Sequence, residues 1–152
     1  MIEESEIKKM KKIAEEFFSK IDPEIKVDLE KENERDIKVN VEMENPQVLI
    51  GENGKTLKGT ERLLRLALIN NIEQRIYVSL DINNYKRKKR EYLEQKAREA
   101  ADEVSLTGVE KRMPALPAAE RRIIHIELES RKDVTTESEG DPPERHVVIK
   151  PL

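Results

Sequence analysis

Two glycines separated by two residues, Gly51-Glu52-Asn53-Gly54, stand between an apolar stretch ending at Ile50 and a periodic segment beginning at Lys55. Glycine tolerates positive φ and lets a neighbouring backbone come close, so the pair marks a tight loop between two elements. Beyond it Leu57, Leu64 and Leu68 recur at helical spacing, and Leu63, Ala67 and Ile69 widen the stripe. Backbone N–H groups at a helix start freed by small residues form a cradle suited to phosphate. Gly54-Lys55-Thr56 matches the end of a P-loop, but that motif needs a glycine five positions before Gly54, where the chain has Leu49. Spacing excludes it. What remains is a bare corner between two helices or a loop that grips a phosphate backbone.

The flanking periodicities set the order of elements. Ile7, Met10, Ala14, Phe17, Phe18 and Ile21 recur at mostly helical spacing and predict an amphipathic helix over residues 2–20, stopped by Asp22-Pro23. Ile25, Val27 and Leu29 alternate with polar residues, as do Ile37, Val39, Val41 and Met43, which predicts a hairpin turning at Glu32-Asn33-Glu34. Asn45-Pro46 opens a short helix, with Asn45 as N-cap and Pro46 at its first position. The second helix runs to about Asn70, and Ile76, Val78 and Leu80 form a third strand before a boundary at Asp81-Ile82-Asn83. The predicted order is α-β-β-α-α-β.

The rest of the chain reads as a second module. A long charged helix spans 84–104 and ends at Thr107-Gly108, with a short strand over Val109–Met113. Pro114 and Pro117 fence off a loop before a helix from Ala118 to about Glu129. Val134–Thr136 and His146–Ile149 are the last strands, joined by a turn-rich segment from Ser138 to Pro143. On the helix, Arg121 and His125 lie four apart and share a face, with Arg122 and Glu129 beside them. Arginine offers a planar fork to phosphate and histidine becomes a second cation near its pKa of about 6.5, so the face suits phosphate contact. A solvated face with an ordinary hydrogen-bonded histidine is the competing explanation.

Charge and composition narrow the classes. The chain has 152 residues, 40% of them charged and only 3% aromatic, so its cores are built from Ile, Leu and Val. It has no cysteine, which excludes disulfides and thiolate metal sites, and no apolar run of membrane-spanning length. A cytoplasmic protein with no cofactor and no metal is expected. The net charge of −3 does not announce a nucleic-acid ligand, yet Lys86, Arg87, Lys88, Lys89 and Arg90 form an unbroken basic run while residues 22–36 are rich in carboxylates. Such a run is ordinarily a solvated face. Between two binding modules it would extend an electropositive track. Tyr85 and Tyr92 are expected to pack the same helix against its domain, base stacking being the other role open to them.

The pattern Leu49-Ile50-Gly51-x-x-Gly54-x-x-Leu57 resembles the core of a KH domain, and the order α-β-β-α-α-β is that of its type II form. The spacing of Arg121 and His125 is similar to the signature of a small single-strand nucleic-acid-binding module named for an Arg-x-x-x-His motif. KH, linker helix and Arg-x-x-x-His domain together resemble the bacterial Jag family from about Ile2 to Ile149, without the N-terminal domain that family usually carries. The resemblance implies an α+β chain of two small domains: type II KH over 1–82, then over 83–152 an Arg-x-x-x-His domain with a leading linker helix, its helices packed on a small three-stranded sheet. It implies single-stranded RNA as ligand, with single-stranded DNA as the alternative, and a link to cell elongation, division or sporulation. In the KH module the contacts fall to Ile50, Gly51, Glu52, Asn53, Gly54, Lys55 and Leu57, the loop holding backbone while Ile50, Leu57 and a neighbouring strand line a groove for bases. In the second module they fall to Arg121, Arg122, His125 and Arg145. Many KH loops carry a basic residue where this chain has Glu52; a carboxylate there repels phosphate, and Lys55 restores part of the attraction.

Three functional classes are thereby in contention. The leading one is a non-catalytic RNA-binding protein. The second is an interaction protein whose KH surface has lost RNA and binds another small KH protein or its own copy. The third is a nuclease using His125 or His146, disfavoured because neither histidine has carboxylates at a recognisable ligand or acid–base spacing.

Overall fold

A computed structural model describes residues 2–152 as an α+β chain with two three-stranded sheets. The chain divides into two compact units, one ending at Lys86 and one running from Arg87 to Leu152.

The first unit comprises α1 (Glu4–Ser19), β1 (Lys26–Lys31), β2 (Asp36–Glu42), α2 (Gln47–Ile50), α3 (Lys55–Ile69) and β3 (Tyr77–Ile82). This is the order read from the sequence. β2 is central, antiparallel to β1 and parallel to β3, with Val39 opposite both Leu29 and Leu80. Alternation puts Ile37, Val39 and Val41 on one face, where they bury against Met10, Ala14 and Phe18 of α1 and Leu64 and Leu68 of α3. Burying a side chain the size of Phe18 stabilises the fold by roughly 1.5–3 kcal/mol relative to leaving it in water. Three details differ from the sequence reading. The cap of α2 is Pro46, with no side-chain cap, so Asn45 does not fill that role. The buried stripe of α3 is narrower than its leucines suggested, because Leu63, Leu66 and Ile69 face outward. Ile21 lies past the end of α1 and is exposed as well.

Asn83 and Asn84, both with positive φ, turn the chain from β3 into α4 (Tyr85–Thr107). Asparagine enters this region more readily than most residues because its short polar side chain bonds locally. The Asn83 side-chain amide also reaches a distant part of the chain, accepting from Met43 N–H at 2.9 Å and donating to Met43 C=O at 2.8 Å. Buried Asp81 accepts from Ile82 N–H and Lys86 N–H through one oxygen, tying β3 to the first turn of α4.

The second unit contains the rest of α4, β4 (Lys111–Ala115), α5 (Ala118–Leu128), β5 (Val134–Glu139) and β6 (His146–Pro151). β6 is central and antiparallel to both neighbours. Ala97, Ala100, Ala101 and Val104 let α4 approach closely, and with Ile124, Leu128, Val134, Val147 and Ile149 they form the core. Pro114 lies inside β4 rather than in a loop; β4 is an edge strand whose register shifts between Arg112 and Ala115, where a residue without N–H is tolerated. β5 runs three residues beyond Thr136, held by pairing with β6 as far as Glu139 opposite His146.

Candidate functional site

The glycine loop is built by steric necessity. Gly51 has φ 69° and ψ −179°, and a Cβ there would lie 2.1 Å from Thr56 Oγ1. No side chain fits. Asn53 and Gly54 also have positive φ, and Gly54 starts α3 with no side-chain cap on that helix. A Cβ at Gly54 would come within 3.2 Å of Tyr85 Cε1, so the loop rests on the Tyr85 ring. Glu52, Asn53 and Lys55 are exposed, and the amides at the start of α3 carry the positive end of the helix dipole. Ile50 and Leu57 are 5% and 3% exposed and belong to the core. They hold the loop in place from beneath and present almost no surface of their own.

The basic run on α4 is largely engaged. Lys86 pairs with Glu61 at 3.0 Å and Arg90 with Glu94 at 2.9 Å, whereas Arg87 lies 3.8 Å from Glu91. Lys89 sits over the Tyr92 ring at 5.9 Å from its centroid, with Lys96 at the same distance. Lys88 alone of the five forms no ion pair or ring contact among the described residues. Carboxylates placed four residues along the helix account for the pairings at Arg87 and Arg90. Tyr85 packs on the first core as expected, but Tyr92 is exposed.

On α5, Arg121 donates from Nε to Leu116 C=O at 3.1 Å, which orients its guanidinium. Leu116 N–H in turn donates to Arg145 C=O at 3.1 Å. Arg122 is exposed and forms no ion pair among the described residues. His125 reaches across to β5, with Nδ1 2.7 Å from Thr136 Oγ1 and Nε2 2.9 Å from Ser138 Oγ. Burial, and secondarily the Arg121 charge, hold its imidazole below the ordinary histidine value. The shift favours the neutral ring, whose two nitrogens link α5 to the hydroxyls of β5. In a neutral ring one nitrogen donates and the other accepts, so one hydroxyl receives the ring proton and keeps its own O–H free to donate elsewhere.

Arg121, Arg122, His125, Thr135, Thr136 and Arg131 line a cleft of about 950 Å³. Arg131 is bound by Asp102 and Asp133. Arg145 is not in the cleft; its Nη1 donates to Gly140 C=O at 2.8 Å and braces the turn between β5 and β6. Thr136 and Ser138 went unnoticed in the sequence. Their two-residue spacing, which puts both hydroxyls on one face of a strand, was the available signal. His146 Nδ1–H donates to Glu144 C=O at 3.1 Å, and Nε2 is buried with no hydrogen-bond partner among the described residues. Among the described residues no group of three or more His, Cys, Asp or Glu is placed to hold a metal.

Residues 91–151 match the family model of the Arg-x-x-x-His (R-3-H) domain, so the chain carries that domain from the second turn of α4 through β6. The chain is 33% identical over 136 residues to RNA-binding protein KhpB of Clostridium symbiosum, a match covering 89% of this chain and 61% of that protein. To RNA-binding protein KhpB of Bacillus subtilis it is 34% identical over 120 residues, 78% of this chain and 58% of the relative. To that of Streptococcus pneumoniae strain D39 it is 32% identical over 117 residues, 77% and 36%. The chain thus spans less than two thirds of the length of these curated relatives.

Proposed function

We propose that this chain is a non-catalytic protein that binds single-stranded RNA through two modules, a type II KH domain and the Arg-x-x-x-His domain. The observation that carries the reading is the Arg-x-x-x-His domain with Arg121 and Arg122 along one open cleft beside the Thr136 hydroxyl. An oriented guanidinium, an exposed one and a hydroxyl are donors matched to phosphate oxygens. The three relatives named above, each called RNA-binding protein, support the same ligand. The KH assignment is supported by the α-β-β-α-α-β order, the parallel β2–β3 pair and a glycine loop that exposes backbone at the head of α3. Such a loop clamps the backbone of about four nucleotides. Binding is favoured over hydrolysis because both nitrogens of His125 are occupied by hydroxyls and no carboxylate orients the ring. Resemblance to the Jag family supports a post-transcriptional role in cell elongation, division or sporulation.

The test is titration of a mixed-sequence RNA of about twelve nucleotides at about 50 and about 200 mM salt. Wild type is expected to bind more weakly at the higher salt. Arg121→Ala/Arg122→Ala is expected to weaken binding and flatten the salt slope by about 1.4 units, at roughly 0.7 for each single-strand phosphate no longer neutralised. Glu52→Lys is expected to strengthen it. No binding by wild type at either salt overturns the reading. A second reading, a protein-interaction scaffold, is favoured by exposed Leu63 and Leu66 on α3 together with the carboxylate of Glu52 in the loop.

A further inference from the structure

The conspicuous cationic segment of this sequence is Lys86–Arg90, yet the structure leaves a different set of cations unengaged. α3 carries Lys55, Lys58, Arg62 and Arg65, and one carboxylate, Glu61. All four cations are exposed, and none forms an ion pair or a hydrogen bond among the described residues. Glu61 does not neutralise them, because its Oε2 accepts from Leu80 N–H at 2.9 Å and from Lys86 Nζ at 3.0 Å. Spacings of three, four and three place the four cations along one exposed stripe of the helix, turned away from buried Leu57, Leu64 and Leu68. Ten residues at 1.5 Å each put Lys55 and Arg65 about 15 Å apart along the axis.

The stripe begins where the glycine loop ends. Lys55 is the first residue of α3, whose amides follow Gly54 with no side-chain cap, so the positive end of the helix dipole and the four side chains form one continuous field. Within it Gly59 is exposed and mid-helix, and a Cβ there would meet nothing within 4 Å. No steric demand of the fold accounts for a residue that weakens a helix interior. It leaves an indentation between Lys55, four residues before it, and Arg62, three residues after, where a ligand backbone comes closest.

Resting on the RNA-binding reading, we infer that the outer face of α3 is a phosphate-tracking surface: Lys55, Lys58, Arg62 and Arg65 carry the single strand onward from the glycine loop. An anionic polymer fits better than a folded protein, because a row of unpaired, solvent-exposed cations matches repeated phosphates that themselves stay largely hydrated. The surface also offsets Glu52. A lone carboxylate at the loop opposes binding locally, while four cations behind it restore attraction to the same strand.

The full chain, labelled single-stranded RNA of about twelve nucleotides and a salt series test this. Lys58→Gln/Arg62→Gln/Arg65→Gln is compared with Arg87→Gln/Lys88→Gln/Arg90→Gln, which removes equal charge from α4. The α3 variant is expected to bind about tenfold or more weakly near 0.1 M salt, with a salt slope shallower by about two units. The α4 variant is expected to weaken much less. Lys58→Arg/Arg62→Lys/Arg65→Lys keeps the charges and is expected to bind like wild type, and unchanged thermal unfolding of each variant controls for folding. An α3 variant that binds like wild type, or no more weakly than the α4 variant, overturns the surface while leaving RNA binding intact, and hands the face with Leu63 and Leu66 to a protein partner. Failure of wild type to bind RNA at all overturns the underlying reading and this surface together.

Discussion

His125 Nδ1 lies 2.7 Å from Thr136 Oγ1, so the histidine of the Arg-x-x-x-His signature is spent on fastening α5 to β5. Its other nitrogen is taken by Ser138, and burial depresses its pKa. The pair's lasting positive charge at neutral pH is that of Arg121.

That bond pair predicts a pH dependence of definite sign. With the folded pKa lowered, the folded state binds fewer protons at this ring than the unfolded chain does. The associated stability is complete above the unfolded value of about 6.5 and is lost as pH falls through and below it. Between about pH 7.5 and about pH 5.5 the wild type should lose more in unfolding midpoint than His125→Gln, whose side chain cannot take up a proton. Equal losses in the two proteins would locate the sensitivity at another group.

At Gly51 two costs coincide, a φ of 69° and the approach of Thr56 Oγ1 to any Cβ. Gly51→Ala should destabilise the first unit by on the order of 1–3 kcal/mol from backbone strain, with the steric clash adding to it. Thr56→Ala in the same chain should recover only the part due to the hydroxyl. Denaturant titration of the single and double variants measures both; full recovery would mean that the backbone carries no strain.

Much of this architecture is legible before folding, for reasons that explain the remainder. Val39 and Val41 alternate in a strand whose one face must be buried, and Leu64 and Leu68 repeat along a helix, so period and partner agree. Leu63 and Ile69 obey the same helical period yet face water, because how wide a stripe is covered depends on what packs against it. The α4 run is unbroken in sequence, yet Glu91 and Glu94, one turn on, pair with two of its arginines. On α3 the cations are spread among leucines, so their common side emerges only from helical geometry. The hydroxyls of Thr136 and Ser138 gain meaning only when His125 faces them across a gap of eleven and thirteen residues.

Asp133 answers to acid. Hydrogen bonds from Arg131, and then from Ser105, hold its carboxyl well below the usual range. Stability from this group is present above the unfolded carboxylate value of about 3.9 and disappears as pH falls toward the folded one. Asp133→Asn should therefore narrow its stability deficit relative to wild type on titration from neutral pH to about pH 3. A deficit constant over that range would show that the carboxylate's charge contributes nothing to it.

Glu61 ties α3 to β3 at the Leu80 amide. Glu61→Ala should speed hydrogen exchange at Leu80 selectively and lower stability by about 0.5–1.5 kcal/mol, the ordinary worth of one hydrogen bond. Unchanged exchange at Leu80 would show that the amide is protected by something other than the carboxylate.

The same carboxylate shapes how the protein behaves among its own copies. β3 is the outer strand of an open sheet, and such a border ordinarily offers amides in a row to any extended chain that arrives. Here Glu61 has taken the Leu80 amide and Asp81 the Ile82 amide, so a stray strand finds the row interrupted. An edge interrupted in this way is a poorer template for a fourth strand than a continuous row of free amides.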